Sequence, residues 1–259
     1  MTSPAADSAC PRCEGRGWIR VADGGAGAAA PCECRRAQRI PALLAAAGIP
    51  ERYRACSFDS FTVEDRDPLQ ASALRGALLQ CRRYVDNFFQ LDETDRGRGL
   101  VLIGPPGTGK THLATATLAE LIRKYGRHGR FVDFTSLVYR IQSTFNTDSP
   151  QSQHDVLDPV IRAEVLVLDE LGAARPTPFA GDTLYLLLND RYTARRPTLF
   201  TSNYRLGAKA PEGLSAHDLL SSRIQPRLVS RLYEMAEVVT LDVDDYREHW
   251  RGVRTGLPR

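Results

Sequence analysis

Residues Gly104-Pro105-Pro106-Gly107-Thr108-Gly109-Lys110-Thr111 match the phosphate-loop pattern G-x-x-x-x-G-K-[ST] at every position. The flanks agree with it. Leu100-Val101-Leu102-Ile103 is a short apolar run that suits a buried strand, and Lys110 to Tyr125 has helical spacing through Leu113, Ala116, Thr117, Leu121 and Lys124. Strand, glycine-rich turn and helix start are what phosphate binding needs. Glycines let backbone N–H groups face the phosphates, and the helix N-terminus adds partial positive charge. In this pattern Lys110 reaches the β- and γ-phosphates, and the Thr111 hydroxyl holds Mg²⁺.

A second half of the site lies downstream. Val165-Leu166-Val167-Leu168 reads as a buried parallel strand, and Asp169 and Glu170 follow at its C-terminal end. Open α/β sheets bind their ligands at that end of the strands. Asp169 is expected to complete the Mg²⁺ shell, and Glu170 to orient and deprotonate an attacking water. Pro197 to Asn203 reads as another buried strand, with Asn203 at its tip either sensing the γ-phosphate or serving as a turn residue. Arg130 to Asp133 and Val238 to Leu241 are further strands, and Ser136 to Phe145 a helix. Arg223, Arg227 and Arg231 recur at i, i+4 and i+8, a spacing that lines one helix face. That face is either solvated or carries an arginine finger for a neighbouring subunit.

Ahead of this region stand Cys10-Pro-Arg-Cys13 and Cys32-Glu-Cys34. Four clustered cysteines read as a structural zinc site, with a redox pair as the alternative. The intervening loop is glycine-rich and buries little, so a metal would supply its folding energy. Trp18 to Val21 reads as a strand, and Cys56 and Cys81 as small buried apolar residues. Arg35 to Gly48 reads as a helix with Pro41 early and Gly48 as its stop; its apolar face docks on the chain's own core or on a partner. Phe58 and Phe61 flank a base or pin the linker. Pro68 to Phe89 reads as an amphipathic helix striped by Leu74, Leu78, Cys81 and Val85. This gives a module over 1–40, a helical linking region over 41–98 and an α/β ATPase core over 99–259.

With 259 residues, 42% hydrophobic and 25% charged, the chain has the composition of an ordinary globular protein. A net charge of +3 sets up no global field for nucleic acid. No run approaches the length of a membrane span, and Met1 to Ser8 lacks a signal pattern, so a cytoplasmic protein is expected.

These motifs together resemble the AAA+ ATPases, and among them the replicative helicase loaders of the DnaC/DnaI type and the related IstB transposition helpers. Gly104 to Thr111 resembles Walker A, Val165 to Glu170 Walker B, Asn203 sensor 1, and Ser230-Arg231-Leu232 the Ser-Arg box with its finger. Leu168-Asp-Glu-Leu-Gly172, Thr201-Ser-Asn-Tyr204 and Asp245-Tyr246-Arg247 carry the same likeness. The resemblance implies a five-stranded parallel sheet without a helical lid, since only 18 residues follow Leu241 (259 − 241). Arg247 sits where such loaders carry an arginine that substitutes for sensor 2. ATP, Mg²⁺ and Zn²⁺ are the implied cofactors. A hexameric replicative helicase, single-stranded DNA and further copies of the chain are the implied partners. Phe134, Tyr139 and Arg140, or Arg175, Thr177 and Phe179, are candidate strand contacts. Leu206 to Ser222 has no counterpart in the pattern. The cysteine module favours a loader over an IstB-type helper of a transposase.

Overall fold

Two three-residue strands, β1 (Trp18–Arg20) and β2 (Ala29–Pro31), pair antiparallel, with Trp18 opposite Pro31. The computed structural model describes residues 10–14, 16–20, 29–63, 67–90, 97–146, 150–207 and 215–246. The chain turns at Cys32, the N-cap of α1 (Glu33–Ala46), and the helix ends before Gly48, whose φ of 70° suits a helix stop. The helix thus begins earlier than its propensity suggests, and Pro41 lies in its interior. That proline has no N–H to offer the Ala37 carbonyl one turn back.

After a short 3₁₀ turn (Glu51–Tyr53) comes α2 (Pro68–Asp86). Asp67 caps it by accepting from the Leu69 and Gln70 amides, and Pro68 occupies its first turn. Then follow β3 (Gly99–Ile103), α3 (Lys110–Tyr125), β4 (Gly129–Asp133), α4 (Phe134–Ser143), α5 (Gln153–Arg162), β5 (Val165–Asp169), α6 (Pro178–Thr193), β6 (Thr198–Ser202), α7 (Pro226–Met235) and β7 (Ala236–Thr240). The five strands β3 to β7 form one parallel sheet in the order β4-β5-β6-β3-β7. The expected five-stranded parallel sheet is therefore present. No helix among the described residues is long and apolar enough to cross a membrane.

The strands are apolar on both faces because helices cover both. Leu100, Leu102, Val165, Val167 and Leu199 point into one core with Leu43, Leu74, Cys81, Val85, Leu113 and Leu121 from α1, α2 and α3. Their neighbours Val101, Ile103, Leu166, Leu168 and Phe200 point into the other, against Phe134, Leu137, Leu184, Leu188, Leu228 and Leu232 from α4, α6 and α7. The two-residue alternation of a strand divides the cores. Phe134, a candidate DNA contact, belongs to this second core at 2% exposure, so its ring is not presented to a nucleic acid. Cys81 is buried as expected, whereas Cys56 is only half-buried.

One polar residue is built into the second half of the fold. Arg191 on α6 is fully buried. Its Nε donates to Thr198 Oγ1 at 2.8 Å, one terminal nitrogen to the carbonyls of Val160, Ile161 and Ala163 at 3.1, 3.0 and 2.8 Å, and the other to Pro197 O at 2.7 Å. Burial lowers its pKa, yet the guanidinium stays charged at neutral pH. Its donors satisfy carbonyls at the end of α5, ahead of β5 and at the start of β6. Truncation would remove its bonds to all of them, although Arg196 Nη1 still reaches Ile161 O at 3.0 Å and the Leu166 amide Pro197 O at 3.2 Å. Arg191→Ala is expected to destabilise the protein by roughly 3 kcal/mol or more. The urea-unfolding midpoint measures this, and Arg191→Lys should recover only part of it, because an ammonium lacks the planar fork.

Candidate functional site

The turn between β3 and α3 has left-handed backbone at Gly107 and Gly109, with φ of 74° and 96°. Side chains are also excluded there. A Cβ on Gly109 would sit 2.6 Å from Phe61 Cε2, and one on Gly107 would collide with the Asp245 carboxylate. The phosphate-loop glycines are thus required by both conformation and close approach. Phe61 pins the linker against this turn and stacks edge-on against His112, with ring centroids 5.3 Å apart. Phe58 lies in the core.

Lys110 opens α3, is buried, and its Nζ donates to Pro105 O at 2.6 Å. The Thr111 hydroxyl donates to Asp169 Oδ1 at 2.9 Å. On the other side Thr201 Oγ1 donates to the same carboxylate oxygen at 2.6 Å and accepts from the Glu170 amide at 2.9 Å. Asp169 is buried at the C-terminal end of β5, while Glu170 is exposed and has a left-handed φ of 58°. Burial raises the Asp169 pKa against the lowering effect of both hydroxyls, with Asp133 raising it further. Burial also raises that of Glu170, and the charges of Asp133 and Asp169 add to this. A cleft of about 220 Å³ is lined by Gly107, Lys110, Thr111, Glu170, Asn203 and Tyr53, among others. The structure therefore brings Gly107, Gly109, Lys110, Thr111, Asp169, Glu170 and Asn203 together.

The donor set suits a magnesium nucleotide. A hydroxyl and a carboxylate oxygen stand side by side, as a hard divalent cation requires, beside a glycine turn whose amides precede a helix start.

Arginines 223, 227 and 231 do not share one helix face. α7 begins only at Pro226, and Arg223 turns back to donate from Nε to Gly172 O at 2.9 Å. Arg227 stacks over Tyr185 at 4.6 Å, and Arg231 over Tyr192 at 4.5 Å while donating to Asn189 Oδ1 at 2.9 Å. Pro226 explains the break, since it favours the first turn of a helix and disfavours the turns after it. Arg247 lies outside the described residues. Of the other candidate contacts, Tyr139 is 73% exposed, Thr177 caps α6 through Ala180 N, and Phe179 packs against Phe145. The segment without a counterpart folds back at Arg205, whose amide and carbonyl bond Asp218 O and Leu220 N, both at 2.8 Å. Two 3₁₀ turns, Ala216–Asp218 and Leu220–Ser222, complete it, and residues 208–214 lie outside the described set.

Two contributors were missed in the sequence. Thr201 is a hydroxyl inside a buried apolar strand, and that mismatch was the available signal. Tyr53 comes from the linking segment and bears no motif.

The four clustered cysteines also converge. Cys10, Cys13, Cys32 and Cys34 place their sulfur atoms within 4.8 Å of one another. The Cys13–Cys34 and Cys10–Cys32 sulfur distances are 3.4 and 3.8 Å. A tetrahedron of Zn–S bonds near 2.3 Å has edges of about 3.8 Å, so the donor set fits zinc. Gly17 N donates to Cys13 Sγ at 3.2 Å, a contact that also steadies a thiolate.

His112 supplies a pH-dependent element beside the cleft. Its Nε2 lies 2.8 Å from Ser57 O, and burial holds its pKa below the ordinary 6.5. The unfolded chain then takes up a proton first as pH falls. Stability is complete above 6.5 and declines below it. The unfolding midpoint should fall between about pH 7 and about pH 5, and His112→Gln should flatten that fall.

Comparison with known proteins fits this geometry. A family model described as IstB-like ATP binding protein matches residues 59–252. The uncharacterized protein YqaM of Bacillus subtilis (strain 168) is 30% identical over 198 residues, covering 74% of this chain and 59% of YqaM, less than two thirds of its length. The replicative helicase loader DnaC of Buchnera aphidicola subsp. Acyrthosiphon pisum (strain APS) is 24% identical over 217 residues, 84% of this chain and 79% of that protein. A crystal structure of the DnaC helicase loader superposes with a TM-score of 0.59 at 31% identity, covering 74% of this chain and 99% of that one. With sheet, cleft and family match in agreement, the chain belongs to the IstB-like ATP binding protein family, AAA+ proteins that include relatives of the DnaC-type loaders.

Proposed function

We propose that this protein is an ATP-dependent loader that binds a hexameric replicative DNA helicase and helps place it on single-stranded DNA, with ATP binding and hydrolysis acting as a switch. The observation that carries this reading is the pairing, in one chain, of the Lys110–Thr111–Asp169–Glu170 cleft with a four-cysteine module. The 31% identity to the DnaC loader structure supports it. A second reading is an ATPase helper of a DNA transposase, favoured by the IstB-like family match.

In the cleft, Gly104, Pro105, Pro106, Gly107, Thr108 and Gly109 form the cradle for the phosphates, and Lys110 places its ammonium against them. Thr111 and Asp169 are the residues that would hold magnesium, which when bound offsets charge on the transferring phosphoryl group. Glu170 orients a water and accepts its proton; its raised pKa moves it toward the range of a useful base. Asn203 reads the far end of the phosphate chain. Arg231, on the Tyr185 and Tyr192 face of α6 and α7, serves the site of a neighbouring copy, which makes hydrolysis depend on self-assembly. Arg247 contacts the nucleotide in place of a sensor-2 arginine. Zinc held by Cys10, Cys13, Cys32 and Cys34 fixes the module over residues 1–40, which grips the helicase, and residues 41–98 link it to the ATPase core at 99–259. Tyr139, Arg140 and Arg175 are exposed and suit a sequence-tolerant strand contact.

Light scattering of this protein with the replicative helicase of its own source tests the reading. A joint complex lost on deleting residues 1–54 is expected; its absence in every nucleotide state would favour the transposase helper. Lys110→Ala should abolish ATP binding. Glu170→Gln should retain binding and lose roughly 10²–10⁴-fold in hydrolysis. Arg231→Ala should also keep binding but lose turnover, and joint loss of both would make Arg231 structural. Chelation should unfold the cysteine module, read by its proteolysis, and leave the ATPase core folded.

A further inference from the structure

The 3₁₀ turn Glu51–Tyr53 belongs to the linking segment, yet it stands at the nucleotide cleft. Its position is fixed from the edge of the sheet. Phe131 N on β4 donates to Ala47 O at 2.7 Å, Ala47 and Ile49 are buried, and the Tyr53 and Phe131 rings lie 6.1 Å apart. β4 is the edge strand next to β5, and its last residue, Asp133, is in register with Asp169. The turn therefore sits beside the strand ends that carry the acids. Tyr53 lines the cleft together with Lys110, Thr111, Glu170 and Asn203.

The guanidinium of Arg52 lies 4.6 Å from the Tyr53 ring centroid. No carboxylate among the described residues forms a salt bridge with it, while the neighbouring acid Glu51 is taken by Arg54. Arg52 is exposed, and the Tyr53 ring on which it stacks lines the cleft. Lys110 is the one lysine or arginine among the described lining residues, and a magnesium-bound triphosphate brings net negative charge, so a second cation at the rim has a use.

We propose that Arg52, carried on the Tyr53 ring, contacts the terminal phosphate of ATP bound in the same chain. The inference rests on the ATPase reading and adds a residue from outside the phosphate loop and the acid strand. The loop and Lys110 serve the phosphates that ATP and ADP share. Arg52 is carried instead by Tyr53, which lines the cleft with Glu170 and Asn203, the end where a γ-phosphate would lie and that ADP would not fill. Its role is to distinguish the two nucleotides. Because Cys32 and Cys34 begin the helix whose other end is docked beside this turn, the contact also ties the cysteine module to the state of the nucleotide.

The test is calorimetric titration of the full chain with Mg²⁺ and either ADP or β,γ-methylene ATP. Arg52→Ala should weaken the ATP analogue roughly 10- to 100-fold, the range of one charge-assisted hydrogen bond, and change ADP by less than about twofold. Arg52→Lys should fall between, because it keeps the charge without the fork. Tyr53→Phe should keep the discrimination, and Tyr53→Ala should lose part of it with the platform. If Arg52→Ala leaves the ratio of the two affinities unchanged while the wild type binds both nucleotides, this inference falls and the ATPase reading stands. A wild-type chain that binds neither nucleotide overturns both.

Discussion

One carboxylate oxygen holds the working end of the sheet together. Oδ1 of Asp169 accepts from the Thr111 hydroxyl at 2.9 Å and from the Thr201 hydroxyl at 2.6 Å, joining the start of α3, the end of β5 and the end of β6. The group is buried, and a buried acceptor left unmatched is expensive. Thr201 then passes the constraint on by accepting from the Glu170 amide, which fixes the one non-glycine residue of the described site with a left-handed backbone. The phosphate loop, the two acids and the tip at Asn203 are thus registered to one another by three short bonds before any ligand arrives. Such preorganisation is what electrostatic catalysis needs.

The parts of this arrangement that bear a motif were legible in the sequence. Glycines at positions 104, 107 and 109, the apolar run before Asp169 and the paired cysteines each follow from a strict chemical requirement, and each is found where that requirement put it. The helices α5 and α6 were not legible. α6 carries apolar residues all round, with Leu184, Leu187 and Leu188 buried but Tyr185, Leu186 and Tyr192 exposed, so no amphipathic stripe marks it. α5 is a short stretch interrupted by Pro159 and owes its start to the Ser152–Asp155 capping box. The arginine repeat misled because spacing says nothing of where a helix begins, and Pro226 begins it after Arg223.

What the sequence could not place were contacts across long separations. Phe61, expected to flank a base or pin the linker, meets Gly109, Asp245 meets Gly107, and Tyr53, which bore no motif, stands on the rim of the cleft. Their residue types are ordinary, and only the fold brings them to the phosphate loop. The segment before α2 is therefore part of the wall of the cleft.

The buried arginine at the other end of the strands has a mechanical consequence. Arg191 stitches the end of α5, the entry to β5 and the entry to β6 through their carbonyls, and Arg196 adds a second guanidinium at Ile161 O. The N-terminal edge of the sheet is riveted, while the C-terminal edge, with Glu170, Asn203 and the Arg223 turn, ends in loops. The strands β5 and β6 are thus held to α5 and α6 at one end and carry the residues of the cleft on loops at the other, so the end that holds them is distant from the end that must meet a ligand.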